Sequence, residues 1–91
     1  MGAFHIRDDV ISLAGEATIE NAVDLRAALL RTPERGGFDI DLSAATRIDA
    51  SIVQLLIAAR RSAVPFRIVA LPSTERERWE RLGIATHLLL P

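Results

Sequence analysis

The sequence predicts a single α/β domain over residues 1–91, built as a mixed sheet of four or five strands with helices mainly on one face. Three observations lead there. Short β-compatible runs alternate along the chain with stretches of helical period. "FDIDLS" (38–43) alternates strictly, placing Phe38, Ile40 and Leu42 on one side and Asp39, Asp41 and Ser43 on the other, as in a strand covered on one face only. Finally, 49% of the 91 residues are hydrophobic but only 4% are aromatic, so aliphatic side chains and alanine must fill the one core that so short a chain can build.

"AFHIR" and "DVISLAG" are the first two strands, separated by Asp8 and Asp9 in a hairpin ending at Gly15. In "TIENAVDLRAALLR" the period changes. Ile19, Ala22, Val23, Arg26, Ala27 and Leu30 fall at helical spacing, and Thr18 is placed to accept a hydrogen bond from the first turn. Pro33, Gly36 and Gly37 in "TPERGG" end that helix, and "FDIDLS" follows as a strand. A second helix begins after Asp49, with Ile52, Val53, Leu55, Leu56, Ala59 and Ala63 as its apolar stripe. Arg60 and Arg61 sit at the end where the helix dipole favours cations. "PFRIVALP" reads as a further strand, parallel to "FDIDLS" because a helix connects them. In the third helix, Thr74 and Glu77 form a capping box, Glu77 and Arg81 are spaced for an ion pair, Trp79 and Leu82 share a face, and Gly83 stops it. Trp79 is assigned to the core. "IATHLLLP" packs as a last short strand or an extended tail.

Composition narrows the function. Eleven basic and twelve acidic residues nearly cancel, and no aromatic platform for bases exists, so nucleic acid is not expected as a partner. All basic residues are arginine, which removes Schiff-base chemistry and the lysine of a phosphate-binding loop. There is no cysteine, no signal-like start and no apolar run of about 18 residues, so a cytoplasmic location without membrane insertion is expected. His5 and His87 lie near opposite ends of the chain, Asp39 and Asp41 project from an exposed strand face, and no serine lies in a nucleophile elbow. Neither an enzyme nor a metal or cofactor site is expected from them.

The remaining candidate is "RIDASIVQLLIAARR" (47–61). Asp49 is placed to accept hydrogen bonds from the free N–H groups of the first helical turn, while Ala50 and Ser51 are small enough to leave that turn approachable. Asp49, Ala50, Ser51 and Ile52 at this helix start are the expected partner-binding residues.

From "ISLAGEATIENAVDLRAAL" through "FDIDLSAATRIDASIVQLLIAARRSA" to "FRIVALPSTERERWERLGI", about three quarters of the chain resembles a STAS domain, the fold of bacterial anti-sigma factor antagonists. "DLSAATRIDAS" is its best anchor: a strand ending in Asp-Leu-Ser, then a short loop, an aspartate, two small residues and a helix. The resemblance implies a protein-binding regulatory module. It also implies that the residue after the aspartate is the serine or threonine phosphorylated by a partner kinase. Here that residue is Ala50, which has no hydroxyl, so the resemblance leaves Ser51, one residue on, as the possible phosphosite, and Ile52 replaces the family's glycine. Three kinds of partner follow from the resemblance: a serine kinase acting as anti-sigma factor, the ATPase of a phospholipid-transport ABC complex, or a chemotaxis or two-component protein.

Overall fold

The computed structural model describes residues 2–89. Strands β1 (Ala3–Arg7) and β2 (Val10–Ala17) form the expected antiparallel hairpin. Asp8 and Asp9 turn it with φ of 50° and 63°. Both central residues are thus left-handed, which matches the twist of the flanking strands and which aspartate tolerates better than most residues. Asp9 is buried and has a second role. Its Oδ2 accepts a hydrogen bond from the Arg35 N–H at 2.9 Å, and its Oδ1 lies 3.6 Å from the Arg31 guanidinium.

The sheet runs β1-β2-β3-β5, with β4 paired to β2 off that path; β3 is Phe38–Asp41, β4 Ala45–Ile48 and β5 Phe66–Ala70. β3 lies parallel to both β2 and β5, as the strand-helix-strand order requires. β2 changes partner along its length: Val10 to Ser12 pair with β3, and Gly15 to Ala17 pair with β4. The change happens at a register irregularity between Gly15 and Glu16, where Gly15 takes φ 70°, a conformation open to glycine without penalty. The strand β4 corrects the sequence reading, which takes 44–48 as loop.

Ile11, Leu13, Phe38, Ile40 and Phe66 are buried on one face of the sheet, while Ala3, His5, Arg7, Arg67 and Val69 are exposed on the other. The core therefore lies between the sheet and the helices α1 (Ile19–Leu29), α2 (Ala50–Arg61), α3 (Ser73–Arg81) and α4 (Ala85–Leu88). Thr18 is the N-cap of α1, as expected. Asn21 answers it from inside the helix: its Oδ1 accepts from the Thr18 N–H at 3.0 Å, and its Nδ2 donates to the Gly2 carbonyl at 3.4 Å.

The core face of α1 is Asn21, Leu25, Ala28 and Leu29, and the set at helical spacing read from the sequence is turned largely outward, with Ile19 67% and Val23 69% exposed and Leu30 exposed likewise. The helix carries two apolar stripes, and the strands beneath select the one with two leucines. On α2, Ile52, Val53, Leu56 and Ala59 are buried as expected, whereas Ala63 lies past the helix end with φ 61°.

Further expectations change in the last third. α3 is capped by Pro72, so Thr74 stands inside the helix and makes no capping box; the ion pair formed is Glu75 to Arg78 at 3.5 Å rather than Glu77 to Arg81. Trp79 is buried as assigned, but Leu82 faces solvent. Gly83 does end the helix, with φ 75°. The tail is neither strand nor extended: residues 85–88 form one helical turn, and 90–91 lie outside the described residues. Arg60 holds that turn, donating to the carbonyls of His87 at 3.2 Å and Leu88 at 3.3 Å. Among the described residues no helix is long and apolar enough to cross a membrane.

Candidate functional site

The mouth of α2 is built where β2 and β4 end. Ile48 closes β4 with its side chain in the core, and the next residue, Asp49, donates its N–H to the Ala17 carbonyl at 2.8 Å. That bond fixes the cap residue to the sheet. Asp49 has extended backbone (φ −70°, ψ 154°), and its Oδ2 accepts from the Ser51 N–H at 3.1 Å and from the Ser51 hydroxyl at 2.6 Å. The Asp49 N-cap read from the sequence is therefore present in the structure. One amide of the first turn is satisfied by the cap, and the dipole of a twelve-residue helix points at the opening.

The Ser51 hydroxyl, followed by the Ser51 amide, holds the Asp49 carboxyl below its ordinary value of 3.8, with Arg47 adding a smaller pull in the same direction. A carboxylate depressed in the folded state contributes stability that is fully present above its unfolded value. That contribution is lost as pH falls through the lower folded value. Asp49→Ala is therefore expected to lower the melting temperature at neutral pH by on the order of 4–8 °C, the usual effect of a lost N-cap in a domain of this size. The difference from the parent should shrink as the pH falls below about 3.8, the ordinary value, and on through the lower value that the folded parent's Asp49 has. Thermal unfolding of both proteins across acid pH checks this; a gap that stays constant would mean that the carboxylate does not cap.

Of the four residues expected to face a partner, the structure leaves Asp49, Ala50 and Ser51 accessible. Ala50 is exposed and Ser51 is half-buried, with its hydroxyl turned to Asp49. Ile52 is a correction. At 0% exposure it belongs to the core, because the fourth residue of this strand-to-helix junction points back under the sheet.

The mouth opens between two apolar grooves that periodicity alone did not reveal. One lies between α1 and α2, lined by Ile19, Ala22, Val23, Arg26, Ser51, Gln54 and Leu55. The other lies between α2 and α3, where Ala50, Val53, Gln54 and Ile57 face Trp79 and Leu82. Ala50 and Ser51 thus border one groove each, and Gln54 lines both. The signal for the first groove was already in the sequence: two apolar stripes on one helix cannot both be buried against the same sheet.

The other carboxylates do not converge. Asp39 pairs with Arg67 at 2.8 Å, and Asp41 accepts from the hydroxyl and amide of Ser43, which lower its pKa. Among the described residues no three histidine or carboxylate side chains come together to hold a metal ion. His5 lies in β1 and His87 in α4.

Comparison with curated proteins gives no match. Among solved structures, the fold is similar to a crystal structure of an anti-sigma factor antagonist from Mycobacterium paratuberculosis. The TM-score is 0.70 at 23% identity, with 100% of this chain and 85% of that chain covered. The likeness supports the fold: a mixed sheet with helices on one side. The family described as Mlab, STAS domain matches residues 3–91, and with nearly the whole sequence covered, this chain belongs to the STAS domain family.

Proposed function

We propose that this STAS domain, one module over residues 1–91, is a cytoplasmic, non-enzymatic regulatory domain. It docks a protein partner through Asp49, Ala50 and Ser51 at the mouth of α2. Relatives of the anti-sigma antagonist kind support protein binding in general. The observation that carries the particular surface is the continuity of the mouth with the exposed stripe of α1: Ser51 lines the same groove as Ile19 and Val23. Large aliphatic side chains left in water beside a small-residue helix start are unfavourable in isolation and gain from being covered. Within the family, a partner that binds without a phosphate switch fits best, because position 50 has no hydroxyl. The ATPase of a phospholipid-transport ABC complex is that kind of partner.

Val23→Glu tests the surface away from the mouth. The side chain is exposed and glutamate is a better helix former than valine, so the fold should be retained. Partner affinity, measured by titration calorimetry, should fall by about tenfold or more if the charge is buried there. Unchanged affinity would confine docking to the mouth or remove it from this side altogether.

A second reading, an anti-sigma antagonist controlled through Ser51, is favoured by the half-exposed hydroxyl of that residue beside an ionised carboxylate. Incubation with ATP and a partner kinase, followed by mass mapping, distinguishes the two. No phosphate is expected at the mouth. Stoichiometric phosphate on Ser51 would put the antagonist first, since the added charge would replace the Asp49 contact with like-charge repulsion.

A further inference from the structure

The two ends of the sheet path, β1 and β5, are finished differently. At β5 the strand lies between Pro65 and Pro72, and the outward carbonyl of Phe66 is taken by the Arg60 guanidinium at 2.6 Å, with that guanidinium stacked 3.9 Å over the Phe66 ring. Flanking prolines and a capped carbonyl discourage another strand from pairing there. Among the described residues β1 has neither device.

The direction of the β1 backbone groups follows from β2. Asp39 N–H bonds to the Asp9 carbonyl at 2.9 Å, and Gly15 N–H bonds to the Ala44 carbonyl at 3.0 Å, so the odd-numbered residues from 9 to 15 face β3 and β4. Val10, Ser12 and Ala14 therefore turn their backbone groups to β1, where they oppose Arg7, His5 and Ala3. The tight two-residue turn at Asp8 and Asp9 requires the same phase, since the residues flanking such a turn form a hydrogen-bonded pair. It follows that the N–H and C=O groups of Phe4 and Ile6 point away from the sheet.

We propose that this edge pairs with β1 of a second copy of the chain, antiparallel, about a two-fold axis through His5. In that register Phe4 of each copy stands opposite Ile6 of the other, and the four N–H and four C=O groups of these residues pair with one another without remainder. Their side chains, half-buried against the core, meet as an aromatic and β-branched pair, which is favourable across strands. Ala3 stands opposite Arg7, so the two arginines do not face each other. Shifting the register by two residues in either direction puts Phe4 against Phe4 or Ile6 against Ile6 and leaves part of the strand unpaired. This self-complementarity is the reason to name a second copy rather than an unrelated strand. The contact is isologous and closes at two. It is independent of the α2 mouth, so either can fail alone.

His5 is exposed on the open face and meets its own copy at the axis, which makes it the position to change. Sedimentation velocity of the full chain over micromolar to high micromolar concentration should show a mass rising toward twice 10.0 kDa. His5→Asp and His5→Lys should each weaken self-association at least tenfold, because like charges then face each other across the axis. An equimolar mixture of the two should restore it. Hydrogen exchange of the parent gives a readout that needs no variant: the Phe4 and Ile6 amides should become protected with concentration, while those of Ala3, His5 and Arg7 are protected throughout. A parent that stays monomeric, a dimer indifferent to both substitutions, a mixture that does not recover, or Phe4 and Ile6 amides that exchange equally fast at all concentrations would each overturn the proposal.

Discussion

Replacing Ala50 with glutamate is expected to abolish partner binding and to leave the fold intact. The first turn of α2 contains no acidic side chain, and a carboxylate there is favoured by the helix dipole, so the substitution should be close to neutral for folding. Ala50 is exposed, and no packing is lost. In a covered interface the same carboxylate is a buried, unpaired charge, with a penalty of about 3–5 kcal/mol. At about 1.4 kcal/mol per factor of ten, affinity should fall at least about a hundredfold. Ala50→Ser, which adds one oxygen, should retain binding. Titration calorimetry after a check of thermal unfolding decides the matter, and a folded Ala50→Glu protein that binds like its parent sends the search to the α2 and α3 groove and the exposed Leu82.

Trp79→Ala should have the largest effect on stability of any single truncation in α3. Trp79 is 1% exposed and is the one buried residue of that helix, so the attachment of α3 depends on it. Aromatic-to-alanine truncations in cores typically cost about 3–5 kcal/mol, against total stabilities of roughly 5–15 kcal/mol. Partial unfolding at 37 °C is the expected result, read by urea titration. Trp79→Phe should be far milder, because the indole Nε1–H finds no acceptor among the described residues and no hydrogen bond is lost with it. A phenylalanine variant as unstable as the alanine one would show that the indole N–H is engaged in solution.

Most of the sheet was legible because its strands carry plain signals: paired turn residues at 8 and 9, strict alternation from 38 to 43, prolines at 65 and 72. The α2 mouth was legible for a similar reason, since an aspartate directly before a helical period leaves few other uses for its side chain. What the sequence concealed has physical causes. β4 buries only Ala45 and Ile48 at its ends, with two exposed residues between, so it lacks the alternation by which strands are recognised. α1 shows helical period in two phases, and only the sheet beneath chooses between Leu25 with Leu29 and Val23 with Leu30. Ile52 looks like part of the mouth by position, but two helix steps of about 100° each carry it inward, away from Ala50. One turn of helix at 85–88 has too few residues for any period to register.

Asp9 illustrates two local preferences in opposition. As the second residue of a tight left-handed turn it stands where glycine or asparagine would close the hairpin with less strain, and a consensus design would place Asn-Gly at positions 8 and 9. Yet its carboxylate reaches across to the connection that precedes β3, taking the Arg35 amide and facing Arg31, while its carbonyl receives the Asp39 amide at the start of that strand. Glycine would relax the turn and release the connection. The routine improvement is therefore available at position 8, whose side chain is exposed, and closed at position 9, where a slightly strained backbone is retained in exchange for an anchor between segments 26 residues apart.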